Sequence, residues 1–334
     1  MRSKLQAIAE TFVREVGSDL QRYTFVFPNH RAGLFFRKYL SQYTEKPIFA
    51  PCVLTINECF SELSELIVTD QLTLLLRLYS EYQRIHPKAE RLDEFIYWGK
   101  MMLADFSEID NHMVQHVEAL FASISDWHAI EERFAYLTDN QRKALSRFWR
   151  EYEESNNHHA DGYLHKNFKH TWDLLFPLYT ALRSNLMRDG LAYEGMLHRE
   201  VLEHWDAIPA ERFRKQYVFL GFNALTASER ELMLRLQAMG KADFYFDYPT
   251  TYSQQSPLAN SVAKYYRQNL KEFPSRYNYT QPTEQNEPNI TIHSTPSASN
   301  QINIAASLLN NKDITTNNTA ILLADDCAGA DKFP

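Results

Sequence analysis

Pro28-Asn29-His30-Arg31-Ala32 is the stretch whose residue types and spacing could do chemistry. It follows a short apolar run, Tyr23–Phe27, and leads into helical periodicity. An Asn amide, an Arg fork and the free N–H groups of a helix start together suit a phosphate. The same residues would serve equally as a capped turn with an exposed arginine, and residue types alone do not choose between the two. Arg37 and Lys38, one or two helical turns on, add local positive charge.

Other constellations carry less. No G-x-x-x-x-G-K-[ST] loop exists, and Gly99-Lys100 has Glu94 where the first glycine would stand. Without that loop a triphosphate has no backbone cradle. At the end of the apolar run Tyr217–Phe222, where a nucleotide hydrolase carries an acidic metal ligand, stand Leu220 and Gly221. His158, His159, Asp161 and His165 lack ligand spacing and read as a polar loop, while His112 and His116 read as surface or packing residues. Asp105, Glu108, Asp110 and the Asp325-Asp326 pair read as solvated helix faces or ends, since no E-x-K element accompanies them. No cofactor is expected in this chain.

The elements that must position these residues alternate between strand and helix. Leu5–Val16 is amphipathic, Tyr23–Phe27 reads as a buried strand, and Ala32–Tyr43 is helical through Leu34, Phe35, Tyr39 and Leu40. Thr55 and Glu58 have capping-box spacing, with Phe60, Leu63 and Ile67 expected inward. Thr226 and Glu229 repeat that spacing before Leu232, Leu236 and Met239, and Gly240 stops the helix ahead of the strand Phe244–Phe246. Between them the pattern is helical only. Leu72, Leu75, Leu76 and Tyr79 share one face, and Leu145, Phe148, Trp149 and Tyr152 follow a Thr138–Gln141 cap. Trp172, Leu175, Phe176, Tyr179 and Leu186 precede a stop at Gly190. The expected organisation is a parallel α/β domain formed by residues 1–70 and 211–273, with an all-helical insertion at 71–210. A linker at 274–289 then leads to the start of a second α/β domain at 290–334, with strands at Ile290–His293 and Ala320–Ala324. That last piece is too short to bury a core alone, so the chain reads as part of a longer protein.

Bulk properties set the frame. Of 334 residues, 44% are hydrophobic and 23% charged, ordinary for a globular chain. Nine glycines against 21 Phe and 19 Tyr argue against architecture built on phosphate-cradling loops. Three cysteines without metal-like pairing, no signal-peptide core and no spanning apolar run point to a cytoplasmic protein without a membrane partner. The net charge of −7 argues against nucleic acid, but residues 1–50 hold eight basic and four acidic residues. Any polynucleotide contact is therefore expected near the N-terminus.

FVFPNHRAGLFFRKYL resembles motif Ia of superfamily I helicases, whose loop touches the backbone of single-stranded DNA. With APCVLTINECF, YWGKMMLADFSEID, LAYEGMLHREV and VFLGFNALTASERELMLRL in that order, nearly the whole chain is similar to AddB/RexB-like subunits of bacterial helicase–nucleases. The resemblance implies a RecA-like fold, a partner AddA-like helicase subunit and DNA as substrate of the complex. It also implies a parent with a C-terminal PD-(D/E)XK nuclease that resects double-strand breaks. It gives Asn29, His30, Arg31, Arg37 and Lys38 as candidate DNA contacts, and Leu220-Gly221 as a degenerate Walker-B-like position. The expectation is a non-hydrolysing strand-guiding module that docks a motor, not itself an enzyme. The alternative is a protein-interaction scaffold without DNA contact, marked by an apolar patch on the insertion and no basic groove.

Overall fold

A computed structural model describes residues 3–44, 47–86, 89–125, 162–246, 265, 267–278, 290–310 and 321–322. Two units are present, Met1–Pro282 and Thr283–Pro334. In the first, helix α1 (Lys4–Val16) and a 3-10 turn lead to strand β1 (Tyr23–Phe27), helix α2 (His30–Tyr43) and strand β2 (Cys52–Thr55). Helix α3 (Ile56–Leu63), strand β3 (Ile67–Val68) and helices α4 (Gln71–Ile85), α5 (Leu92–Asn111) and α6 (Val117–Ser125) follow. The described chain resumes with helix α7 (Gly162–Arg188), strand β4 (Leu191–Ala192) and helix α8 (Glu194–Glu203). Strand β5 (Gln216–Leu220), helix α9 (Ala227–Ala238) and strand β6 (Ala242–Tyr245) complete the sheet.

The fold is mixed α/β around a four-stranded sheet of order β2-β1-β5-β6, parallel throughout. Thr24 pairs with Cys52 on one side and with Tyr217 on the other, so the two flanks of the long helical stretch meet in one sheet. Alternate strand residues face opposite layers. Phe25, Phe27, Val218, Leu220 and Tyr245 join Ile8 and Phe12 of α1 and Phe36 and Leu40 of α2. There Phe12 is edge-on to Phe25 at 5.0 Å and to Tyr245 at 5.4 Å. Val26, Phe219, Phe244 and Phe246 face the larger core, with Leu232 and Leu236 of α9 and the buried residues of α3 to α5, α7 and α8. The crossovers β1-α2-β2 and β5-α9-β6 run outward in opposite directions. Right-handed connection therefore puts α2 and α9 on opposite faces, and the strand order reverses between β1 and β5.

Caps explain the helix starts. Thr55–Glu58 and Thr226–Glu229 both form reciprocal capping boxes, and Asp70 accepts from the Leu72 and Thr73 amides. Gly190 and Gly240 take positive φ of 70° and 67° just past their helices, as the stops require. Residues 267–278 lie along β6. Phe273 is buried against Phe244, the Ser275 hydroxyl donates to the Phe244 carbonyl, and the Arg276 amide donates to Asp243.

Several expectations are corrected. Helix α3 ends at Leu63, and Ile67 is an exposed member of β3 instead of an inward helical residue. On α4 the buried face is Leu74, Leu75, Leu78 and Tyr82, leaving Leu72 and Leu76 outside; Tyr79 and Tyr82 instead receive Phe95 of α5. The 71–210 stretch is not wholly helical, since β4 pairs with β3, a ladder of two residues that is too short to leave a periodic signal. Within Thr283–Pro334 the described element is helix α10 (Ala298–Asn310), and Ile290–His293 forms no strand. Of 320–324 only Ile321 and Leu322 are described, outside any strand. The Thr138–Gln141 cap, Leu145, Phe148, Trp149, Tyr152, His158, His159, Asp161, Asp325, Asp326, most of the 274–289 linker, and the side chains of His165 and Trp172 lie outside the described residues. Among the described residues no helix is long and apolar enough to cross a membrane.

Candidate functional site

Strand β2 and the start of α2, which follows the carboxyl end of β1, form the walls of an open groove of about 710 Å³. Its lining is Asn29, His30, Arg31, Gly33, Leu34, Phe35 and Arg37 from α2 and its cap, with Val53, Leu54 and Thr55 from β2. The local sequence explains the geometry. Pro28 lacks an amide donor and ends the ladder. Asn29 then caps α2, its Oδ1 accepting from the Ala32 amide at 3.0 Å. That occupies the Asn29 oxygen and the Ala32 N–H but leaves the Asn29 amide group and the His30 and Arg31 N–H groups without partners within the helix, as a helix start does. Gly33 lets α2 approach β2: a Cβ there would lie 2.7 Å from Val53 Cγ1. A larger residue would push the helix away and change the groove floor.

The groove's charge is one-signed. Arg31 and Arg37 line it beside His30, and among the described residues no lining residue carries a carboxylate. Glu58 contacts the lining residue Thr55, accepting from its amide at 2.7 Å and from its hydroxyl at 3.0 Å as half of the capping box. Arg37 donates to the Val53 carbonyl at 3.3 Å, which anchors one end of its guanidinium and leaves further donors. Lys38 is exposed on α2 but does not line the groove. The residues that sequence reasoning missed are apolar. Leu34 and Phe35 are 66% and 43% exposed and line the groove, while Phe36 is wholly buried. The signal available was the Phe35-Phe36 pair, of which one helix face can bury a single member.

Leu220 and Gly221 lie at the end of the neighbouring strand. Leu220 is fully buried against the α1/α2 face. Gly221 has φ of 77°, and its amide donates to the Tyr245 carbonyl at 3.1 Å. The loop beyond is held from outside, Asn269 Nδ2 donating to the Asn223 carbonyl at 2.7 Å. This position ends a strand and offers no oxygen ligand from a side chain.

A second charge centre lies among α5, α7 and α8, and it corrects the reading of Asp110 as solvated. Asp110 is fully buried. It accepts from the Tyr179 and Tyr193 hydroxyls at 2.5 Å each, from Arg183 at 2.7 Å and from Arg199 at 3.3 Å. Arg183 also pairs with Glu200, and Arg199 with Glu203 at 2.7 Å. Burial pushes both phenols well above their ordinary range, so they stay O–H donors. Asp105 and Glu108 are exposed, and His112 pairs with Glu108 at 3.4 Å. Beside this centre, His198 is stacked on Phe60 at 3.9 Å with Nδ1 3.0 Å from Asn111 Oδ1, and its Nε2 is buried without a hydrogen-bond partner. Burial lowers its pKa to about 4. Among the described residues no group of three His, Cys, Asp or Glu could hold a metal ion.

No protein-family model and no curated protein matches this chain.

Proposed function

We propose that this chain is a non-hydrolysing, RecA-like module of an AddB/RexB-like helicase–nuclease, in which the groove along α2 holds the backbone of single-stranded DNA. The observation that carries the reading is a groove at the carboxyl edge of a parallel sheet lined by His30, Arg31 and Arg37 and, among the described residues, by no acid. Ligands of open parallel sheets bind at that edge. Phosphates are attracted by local positive charge even where the net charge is −7. Asn29 contributes its amide and Lys38 a more distant charge. Leu220 and Gly221 supply no metal ligand, and the sequence has no phosphate loop, so the module guides a strand that a partner motor moves.

The test is fluorescence anisotropy with a labelled oligo(dT) at low salt. Binding that Arg31→Ala and Arg37→Ala weaken supports the reading. Absent binding, or binding indifferent to both changes, refutes it.

Docking to a helicase subunit, the other half of the proposal, is favoured by exposed Tyr97, Trp98 and Met101 on α5. Large apolar side chains grouped on one exposed helix are a common feature of partner surfaces. A pure scaffold role would need these residues alone. Pull-down of the motor subunit by the wild type but not by Tyr97→Ala/Trp98→Ala would support docking, and equal capture would oppose it.

A further inference from the structure

Given that reading of the groove, we infer that Phe35 is a stacking platform for an unpaired base, so the groove takes single strands by base as well as by phosphate. Gly33, Phe36 and Leu40 are the α2 residues buried in the core. Phe35 is therefore not needed to seat the helix, yet it is a large aromatic residue held 43% exposed in a groove that also presents Arg31 and Arg37. An exposed phenyl ring forgoes part of the burial that normally favours it, and here the open part of the ring faces the groove's lining.

Its neighbours fit a nucleotide. Arg31 stands one turn before Phe35, and residues four apart lie side by side on a helix surface. One phosphate contact and one ring face are thus offered along a single line. Tyr39, a further turn on, backs the ring, with centroids 6.3 Å apart and planes tilted by 34°. That contact limits the ring's freedom before any ligand arrives, and Leu34 adds apolar surface beside it. Every base has a π-face, so such a platform is tolerant of sequence. Duplex bases are already stacked on one another and present only edges in the grooves. The occupant is therefore single-stranded DNA.

The test compares oligo(dT) with an oligomer of the same length whose central nucleotides are abasic, on the full chain. Both carry the same phosphates, and only one carries bases to stack. Wild-type protein is expected to prefer oligo(dT) about tenfold. Phe35→Ala should abolish that preference, Phe35→Trp should keep it, and Arg31→Ala should weaken both ligands alike. Phe35 is exposed, and a matching thermal transition will verify that the variant is folded. Equal binding of the two oligomers by wild type, or an unchanged preference in Phe35→Ala, overturns the stacking role while leaving phosphate holding intact. Absent binding of either oligomer removes the groove reading as well. Tighter binding of oligo(U) than of oligo(dT) overturns the assignment to DNA.

Discussion

Arginines in two parts of this molecule meet opposite fates. Around Asp110, Arg183 and Arg199 are largely buried, and each pairs with a carboxylate besides Asp110 itself. Along α2, Arg31 and Arg37 line a groove that has no acid among its described lining residues. Buried guanidinium groups must be paired, because an isolated charge in the interior is very costly. The paired set joins three helices and has its hydrogen-bonding capacity directed inward. The groove set is held by helix and strand but keeps donors facing solvent. Residue type alone thus separates neither stability from binding nor structure from site; what separates them is where the counter-charge comes from.

The largest effect that would break this contrast is at Asp110. Asp110→Ala leaves two guanidinium groups and two phenols without their shared acceptor, and should destabilise the fold by about 3–5 kcal/mol. Urea denaturation would show this as a lower midpoint. An unchanged midpoint would mean the cluster contributes nothing, and the contrast would fail.

Next in size is acid sensitivity from His198. Its folded pKa of about 4 lies below the ordinary 6.5, so between these values the unfolded chain binds the extra proton. Stability is present in full above about pH 6.5 and is lost as pH falls toward 4, by about 3 kcal/mol if this group acts alone. His198→Gln should flatten that part of the pH–stability curve. A curve as steep as wild type's would assign the acid loss to other groups.

The smallest effects sharpen the comparison within α2. If Arg31 touches a phosphate and Lys38 does not, Arg31→Ala should reduce the slope of log affinity against log salt by about 0.7. Lys38→Ala should leave that slope nearly unchanged. Equal reductions would place the strand along the exposed side of α2 instead of in the groove.

The two regions also differ in how much of them the sequence reveals. The groove's frame is local. Tyr23–Phe27 is a compact apolar run, Pro28-Asn29 breaks and caps within two residues, and Thr55–Glu58 is a three-residue signal that the structure reproduces as a capping box. Asp110 is not local. Its donors lie 69 to 89 residues further along the chain, and in MLADFSEID it looks no different from its exposed neighbours Asp105 and Glu108. Leu72 and Leu76 misled for a related reason: the helical period is plain, but which side of α4 turns inward depends on Phe95 and Gly99 of α5. At Gly99 a Cβ would come within 2.5 Å of Leu75. The outer wall of the groove was hidden as well, because four residues of β2 carry little signal until β1 pairs with them.

Among the described residues strand β2 ends the sheet on one side, and Arg37 reaches across to its Val53 carbonyl. Open margins of sheets recruit other chains, and a long cationic side chain laid over one discourages such recruitment. Arg37 accordingly has two duties, and losing it should be visible twice: once as weaker retention of an oligonucleotide, and once as concentration-dependent self-association in light scattering.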